Sequence, residues 1–198
     1  MSETSDNNPL WIFGYGSLLW KTDFPYAKKK VGFIKGYLRR FYQSSVDHRG
    51  IPEKPGRVVT LIPSSNPEDK VWGIAYKIED KDKDLVVRQL DFREKSGYIK
   101  VNIIFYPVDL VAKTEEKPFS LVIYVGEKTN EHYAGEADVD TIAKQIVEAY
   151  GPSGTNREYL YRLADTMRAI APGQEDNHLF SLEAAVMKLE SKSSLISR

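Results

Sequence analysis

Cysteine is absent from the chain. A disulfide framework, a thiol nucleophile and a cysteine-ligated zinc are excluded together. Net charge is absent too, since 28 Lys and Arg stand against 28 Asp and Glu. Nucleic acid and anionic membranes usually demand a basic excess, so neither is expected as the main partner. No apolar run approaches the ~20 residues of a membrane helix. The opening Met-Ser-Glu-Thr-Ser-Asp-Asn-Asn is polar and acidic, unlike a secretory signal or a transit peptide. These features describe a soluble cytosolic protein, or a nuclear one. Histidine is scarce: His48, His132 and His178 lie far apart, without the paired spacing of metal ligands. No metal and no cofactor is expected.

What is present suffices for a core. The 198 residues are 41% hydrophobic, which suits one compact domain. Residues 1–9 read as a disordered tail and residues 10–198 as a single domain. Leu10 to Phe13 is strand-like and is broken by Gly14-Tyr15-Gly16-Ser17. Residues 31–46 contain a second strand, Arg57 to Ile62 a third, and Val71 to Ile78 a fourth, with Trp72, Ile74 and Tyr76 on one face. Asp80 to Arg93 reads as a helix with Leu85, Val86 and Leu90 on its apolar side. Strands follow at Tyr98–Tyr106 and Phe119–Val125. The remainder turns helical, with starts at Asp138 or Asp140, at Thr155 or Asn156, and at His178. Strands come first and helices last, an order that favours α+β, or a small barrel with flanking helices, over a doubly wound parallel sheet.

Three segments could carry chemistry. The paired glycines of Gly14-Tyr15-Gly16-Ser17-Leu18 allow a tight loop whose N–H groups hold a carboxylate or an oxyanion; the same spacing also suits a plain structural turn. A dinucleotide fingerprint fits poorly, because Leu19 stands where a third glycine is needed. Ser17 and His48 could belong to a triad, but Ser17 is followed by Leu18-Leu19 rather than by a nucleophile-elbow pattern. Glu94 lies where a helix gives way to a strand, and a carboxylate facing a cleft there becomes a proton shuttle if partly desolvated; a solvated charge pair is the plainer alternative. Asp47-His48-Arg49-Gly50 and Pro55-Gly56-Arg57 bracket a charged loop in which Arg49 or Arg57 could meet an acidic substrate. Gly151-Pro152-Ser153-Gly154 reads as a helix stop and a turn.

In this order the segments resemble the ChaC-type glutathione-specific γ-glutamylcyclotransferases. The resemblance rests on Phe-Gly-Tyr-Gly-Ser-Leu at 13–18, Ser-Val-Asp-His-Arg-Gly at 45–50, Pro-Gly-Arg-Val-Val-Thr-Leu at 55–61 and Val-Trp-Gly-Ile-Ala-Tyr at 71–76. It continues through Leu-Asp-Phe-Arg-Glu-Lys-Ser-Gly-Tyr at 90–98, Ile-Phe-Tyr-Pro at 104–107 and Gly-Pro-Ser-Gly-Thr-Asn at 151–156. Tyr42 stands where tryptophan is usual and Ser96 where glycine is common, both outside the two central motifs.

The resemblance implies a small mixed β-barrel with flanking helices and a cytosolic lyase that acts on glutathione. It implies a substrate loop of Ile12, Phe13, Gly14, Tyr15, Gly16 and Ser17, with Leu18 beside it, and Glu94 as the acid/base. Closure of the glutamyl amine onto its own γ-carbonyl needs no external nucleophile, which suits a chain without cysteine. Arg49 is expected, on charge grounds, to meet the glycyl carboxylate, and Tyr98 to orient a carboxylate through its hydroxyl. The same loop and glutamate would also serve a broader γ-glutamyl cyclotransferase.

Overall fold

Gly36 adopts φ +78° and divides residues 31–46 into two strands instead of one. A side chain is strained in this left-handed region, so a glycine sits at the turn. The first strand of the pair also starts early, at Lys28, in a run of three lysines that carries no strand signal.

The computed structural model describes residues 9–93, 98–112, 114–126 and 128–196. Apart from Pro9, the expected N-terminal tail lies outside them. The strands are β1 (Trp11–Gly14), β2 (Lys28–Lys35), β3 (Tyr37–Ser45), β4 (Gly56–Pro63), β5 (Lys70–Lys77), β6 (Tyr98–Asp109), β7 (Thr114–Glu115), β8 (Phe119–Gly126), β9 (Tyr150–Gly151) and β10 (Gly154–Thr155). The helices are α1 (Lys83–Arg93), α2 (Val139–Glu148), α3 (Asn156–Ile170) and α4 (Asn177–Ile196). No helix of the described residues is long and apolar enough to cross a membrane.

Five strands close a barrel in the order β2-β5-β1-β8-β6, with β6 pairing back onto β2. The β1–β8 pair is parallel and the other four are antiparallel, so the barrel is mixed. Closure removes the sheet edges that would otherwise invite association. β6 runs past Pro107 to Asp109, beyond the expected end at Tyr106, because Pro107 stands opposite Gly32 within the closing pair. The fixed φ of proline suits a strand that keeps its pairing through its neighbours. β3 and β4 form a separate two-stranded ribbon whose register shifts between Arg40 and Gln43.

Alternate residues of a strand share a face. On β1 that face carries a row of rings: Trp11 meets Phe119 at 4.6 Å, Phe13 meets Phe105 at 5.6 Å, and Tyr15 lies 6.4 Å beyond Phe13. The core extends from these rings to the helices through Ile142, Ile146, Leu160, Leu163, Leu179 and Leu182, all fully buried. β5 is buried on both faces, so the single apolar face expected for Trp72, Ile74 and Tyr76 gives way to burial of Val71, Gly73 and Ala75 as well. α1 buries Val86 and Leu90 but leaves Leu85 45% exposed, which corrects the expected apolar side. Two helix starts follow capping chemistry: Asp138 accepts from Thr141 N at 2.8 Å, and Thr155 accepts from Glu158 N at 3.2 Å. Between α2 and α3, residues 150–155 form the β9–β10 hairpin, not a simple helix stop.

Candidate active site

A cavity of about 580 Å³ opens where the end of β1, the β3–β4 ribbon and the first turns of α3 meet. Its wall combines Phe13, Tyr15, Gly16, Ser17 and Leu18 with residues 43–49, Leu90 of α1, Tyr124 of β8, Pro152 and Ser153 of the hairpin, and Glu158, Tyr159 and Arg162 of α3.

The loop after β1 is pinned from several sides. Tyr15 Oη donates to the Tyr124 carbonyl at 2.8 Å, and Tyr76 Oη donates to the Leu18 carbonyl at 2.7 Å. Burial, and then the neighbouring Tyr26, push the Tyr76 hydroxyl above its ordinary pKa, so it remains a donor. A single 3₁₀ turn follows at Ser17–Leu19, with Leu19 N donating to the Gly16 carbonyl at 3.0 Å. A Cβ on Gly16 would stand 3.0 Å from both the Tyr159 hydroxyl and Val59 Cγ2. A side chain there would press on α3 and β4, so the loop packs closely against both.

The opposite wall is charged. Arg49 is 8% exposed and its Nη1 donates to Glu158 Oε2 at 3.0 Å and to the Thr155 carbonyl at 3.1 Å. Arg162 Nε reaches the other oxygen of Glu158 at 2.9 Å. Two guanidinium groups thus share one carboxylate. At the exposed mouth, His48 Nδ1 lies 3.1 Å from Ser153 Oγ, and Ser153 N donates to the His48 carbonyl at 2.9 Å. The Gly151–Gly154 turn is therefore part of the cavity as well as a connector.

Of the residues expected in the site, Phe13, Tyr15, Gly16, Ser17, Leu18 and Arg49 line the cavity. Ile12 is a core side chain, 1% exposed, and Gly14 packs behind the loop against Leu18 Cβ; neither lines it. Arg57, considered with Arg49, turns inward instead and donates to Gln145 Oε1, the Phe41 carbonyl and the Gly135 carbonyl. Glu94 and the side chain of Tyr98 lie outside the described residues; the Tyr98 backbone opens β6 opposite Gly126. Sequence reasoning did not find Gln43, Tyr124, Glu158, Tyr159 or Arg162. The last three follow the Thr155 cap of α3 by three to seven positions, and that cap was the available signal. Among the described residues no group of three or more His, Cys, Asp or Glu could hold a metal.

A mixed five-stranded barrel with a glycine-loop cleft at the end of its first strand defines the class of protein. The ChaC-like protein family matches residues 10–189, and the chain belongs to that family. It is 44% identical over 182 residues to the glutathione-specific γ-glutamylcyclotransferase 1 of Danio rerio, covering 90% of this chain and 89% of that protein. It is 38% identical over 202 residues to the glutathione-specific γ-glutamylcyclotransferase of Schizosaccharomyces pombe, covering 95% and 97%. The crystal structure of a yeast γ-glutamyl cyclotransferase specific to glutathione superposes with a TM-score of 0.84 at 30% identity, over 92% of this chain and 97% of that one.

Proposed function

We infer that the protein is a glutathione-specific γ-glutamylcyclotransferase, a lyase that converts glutathione to 5-oxoproline and cysteinylglycine. The observation that carries this reading is the cleft beneath residues 13–18 in a chain that matches the family from end to end of its fold. The α-amine of the glutamyl unit attacks its own γ-carbonyl. A five-membered lactam closes, the bond to the cysteinyl nitrogen breaks, and no water is consumed. The enzyme holds the two reacting groups in an attack geometry; the ammonium loses one proton to solvent to become a nucleophile and a second as the lactam closes, and one proton must reach the departing nitrogen.

Glu94 is the group proposed to carry that proton, first as base and then as acid. In support, Leu90, four residues earlier and on the last turns of α1, is part of the cavity wall. Residues 13–18 are proposed to hold the glutamyl end. Arg49, which lines the cavity beside Glu158, is proposed to meet the glycyl carboxylate of the substrate. Tyr98 is proposed to orient a substrate carboxylate. The balanced charge and lack of cysteine suit a cytosolic enzyme.

The test is incubation of purified protein with glutathione, followed by mass spectrometry of the products. Equimolar 5-oxoproline and cysteinylglycine, formed without ATP or added metal, are expected. Free glutamate in place of 5-oxoproline would mean hydrolysis and would overturn the reading. Equal turnover of γ-glutamylcysteine would replace it with a broader γ-glutamyl cyclotransferase.

A further inference from the structure

Among the described residues, four buried side-chain atoms lack a hydrogen-bond partner: Arg39 Nε, Gln43 Oε1, Thr60 Oγ1 and Trp72 Nε1. Of these four residues, Gln43 alone lines the cavity. Its side chain is not a loose surface group. Gln43 is 2% exposed and lies on β3 directly after the register shift of the ribbon. Its backbone pairs with Val58 on one side and Tyr133 on the other, and the next residue, Ser44, donates to the His132 carbonyl at 2.7 Å. A bulge of this kind re-aims the side chain that follows it. Leaving a buried carbonyl oxygen unpaired costs about 1–3 kcal/mol, a penalty that a bound donor removes.

The substrate class proposed above supplies such a donor. The γ-glutamyl α-amine enters as an ammonium and must become a neutral nucleophile. A second carboxylate beside it, in addition to the base, would stabilise the ammonium and oppose that step. An amide oxygen accepts a hydrogen bond from either form, and leaves the nitrogen lone pair directed at the carbonyl. The carboxylates of the described wall are already placed elsewhere: Glu158 between Arg49 and Arg162, Asp23 near Lys21, and Asp47 beside His48, the last two with mostly exposed side chains. His132, the other imidazole in the wall besides His48, faces Glu131 at 3.5 Å.

We propose that the Gln43 carboxamide oxygen accepts a hydrogen bond from the α-amine of the γ-glutamyl group and positions that amine for attack. This rests on the reading of the protein as a γ-glutamylcyclotransferase.

Wild type, Gln43→Met and Gln43→Glu are compared in 5-oxoproline release across about pH 6 to 9. Inhibition by glutaryl-cysteinylglycine, which lacks the amine, is measured alongside. Loss of a hydrogen bond to a charged group predicts a fall of about 10- to 100-fold in kcat/KM for Gln43→Met. The inhibition constant of glutaryl-cysteinylglycine should stay unchanged, whereas a merely deformed cavity would weaken both ligands. Gln43→Glu keeps the size of the side chain and adds a charge beside the ammonium. It should shift the acid limb of kcat upward by about one pH unit or more, and it is the deciding variant if Gln43→Met does not melt cooperatively. Wild-type release of 5-oxoproline with an unshifted Gln43→Glu profile, or with equal loss of both ligands in Gln43→Met, overturns this role alone. A wild type that releases no 5-oxoproline overturns the activity and this role together.

Discussion

One side chain, the Asn156 carboxamide, pairs with both backbone groups of Arg57: Arg57 N donates to Oδ1 at 2.6 Å and Nδ2 donates to the Arg57 carbonyl at 2.8 Å. Asn156 is fully buried at the first position of α3, so this pairing fixes the helix carrying Glu158 and Tyr159 against β4. Asn156→Ala removes both partners and should destabilise the fold by about 1–3 kcal/mol. Urea denaturation measures the loss, and a midpoint equal to wild type would remove the anchor.

Gly16 and Tyr159 form a second coupled pair. Gly16→Ala should lower stability by about 1–3 kcal/mol by pressing on the Tyr159 hydroxyl and Val59. Tyr159→Phe deletes that hydroxyl, so the double variant should recover part of the loss. Thermal melts of the four proteins give the coupling, expected at about 0.5–3 kcal/mol. Strict additivity would show that the contact does not govern the loop.

Glu94→Gln keeps shape and removes the proton shuttle. Turnover should fall by about 10²–10⁴-fold, the usual worth of general acid/base assistance. Glutathione affinity by calorimetry should persist. Loss of binding together with turnover would recast Glu94 as the counter-ion of the substrate ammonium.

His178 Nε2 accepts from Phe41 N at 3.1 Å and is therefore held neutral. Burial, and then the Arg40 charge, push its pKa down to about 4, against the opposing influence of Asp176. The unfolded chain binds the proton more readily, with a pKa of about 6.5. The stability from neutral His178 is thus complete above about pH 6.5 and is lost as pH falls towards about 4. The expected loss is about 1–3 kcal/mol, reduced from the full linkage value because the ring is partly exposed. Urea titrations of wild type and His178→Gln across this window should converge at the acid end. Parallel curves would exclude His178 as the source.

Much of the element order was legible because it depends on local chemistry. Asp138 and Thr155 announce their helices through side-chain caps, and Leu160, Leu163 and Met167 repeat at helical spacing. The ordered motifs from Phe13 to Asn156 point to the family, and of the expected loop Phe13, Tyr15, Gly16 and Ser17, with Leu18 beside it, line the cavity. Nothing local marks Lys28-Lys29-Lys30 as the start of a strand, because its pairing with β5 supplies the order.

The composition and motif order of this sequence were enough to indicate its class, its lack of thiol chemistry and most of its element types. Tertiary structure decided which side chains meet. Arg49 and Arg57 flank one charged stretch of sequence, yet Arg49 enters the cavity wall while Arg57, on β4, braces the interior. Gln43 gained its place through a register shift, and Tyr15 reaches Tyr124 across 109 positions of chain. Side-chain direction at such sites follows from the β2–β6 closure and the docking of α3. Both depend on contacts between distant segments, and no local pattern encodes those contacts.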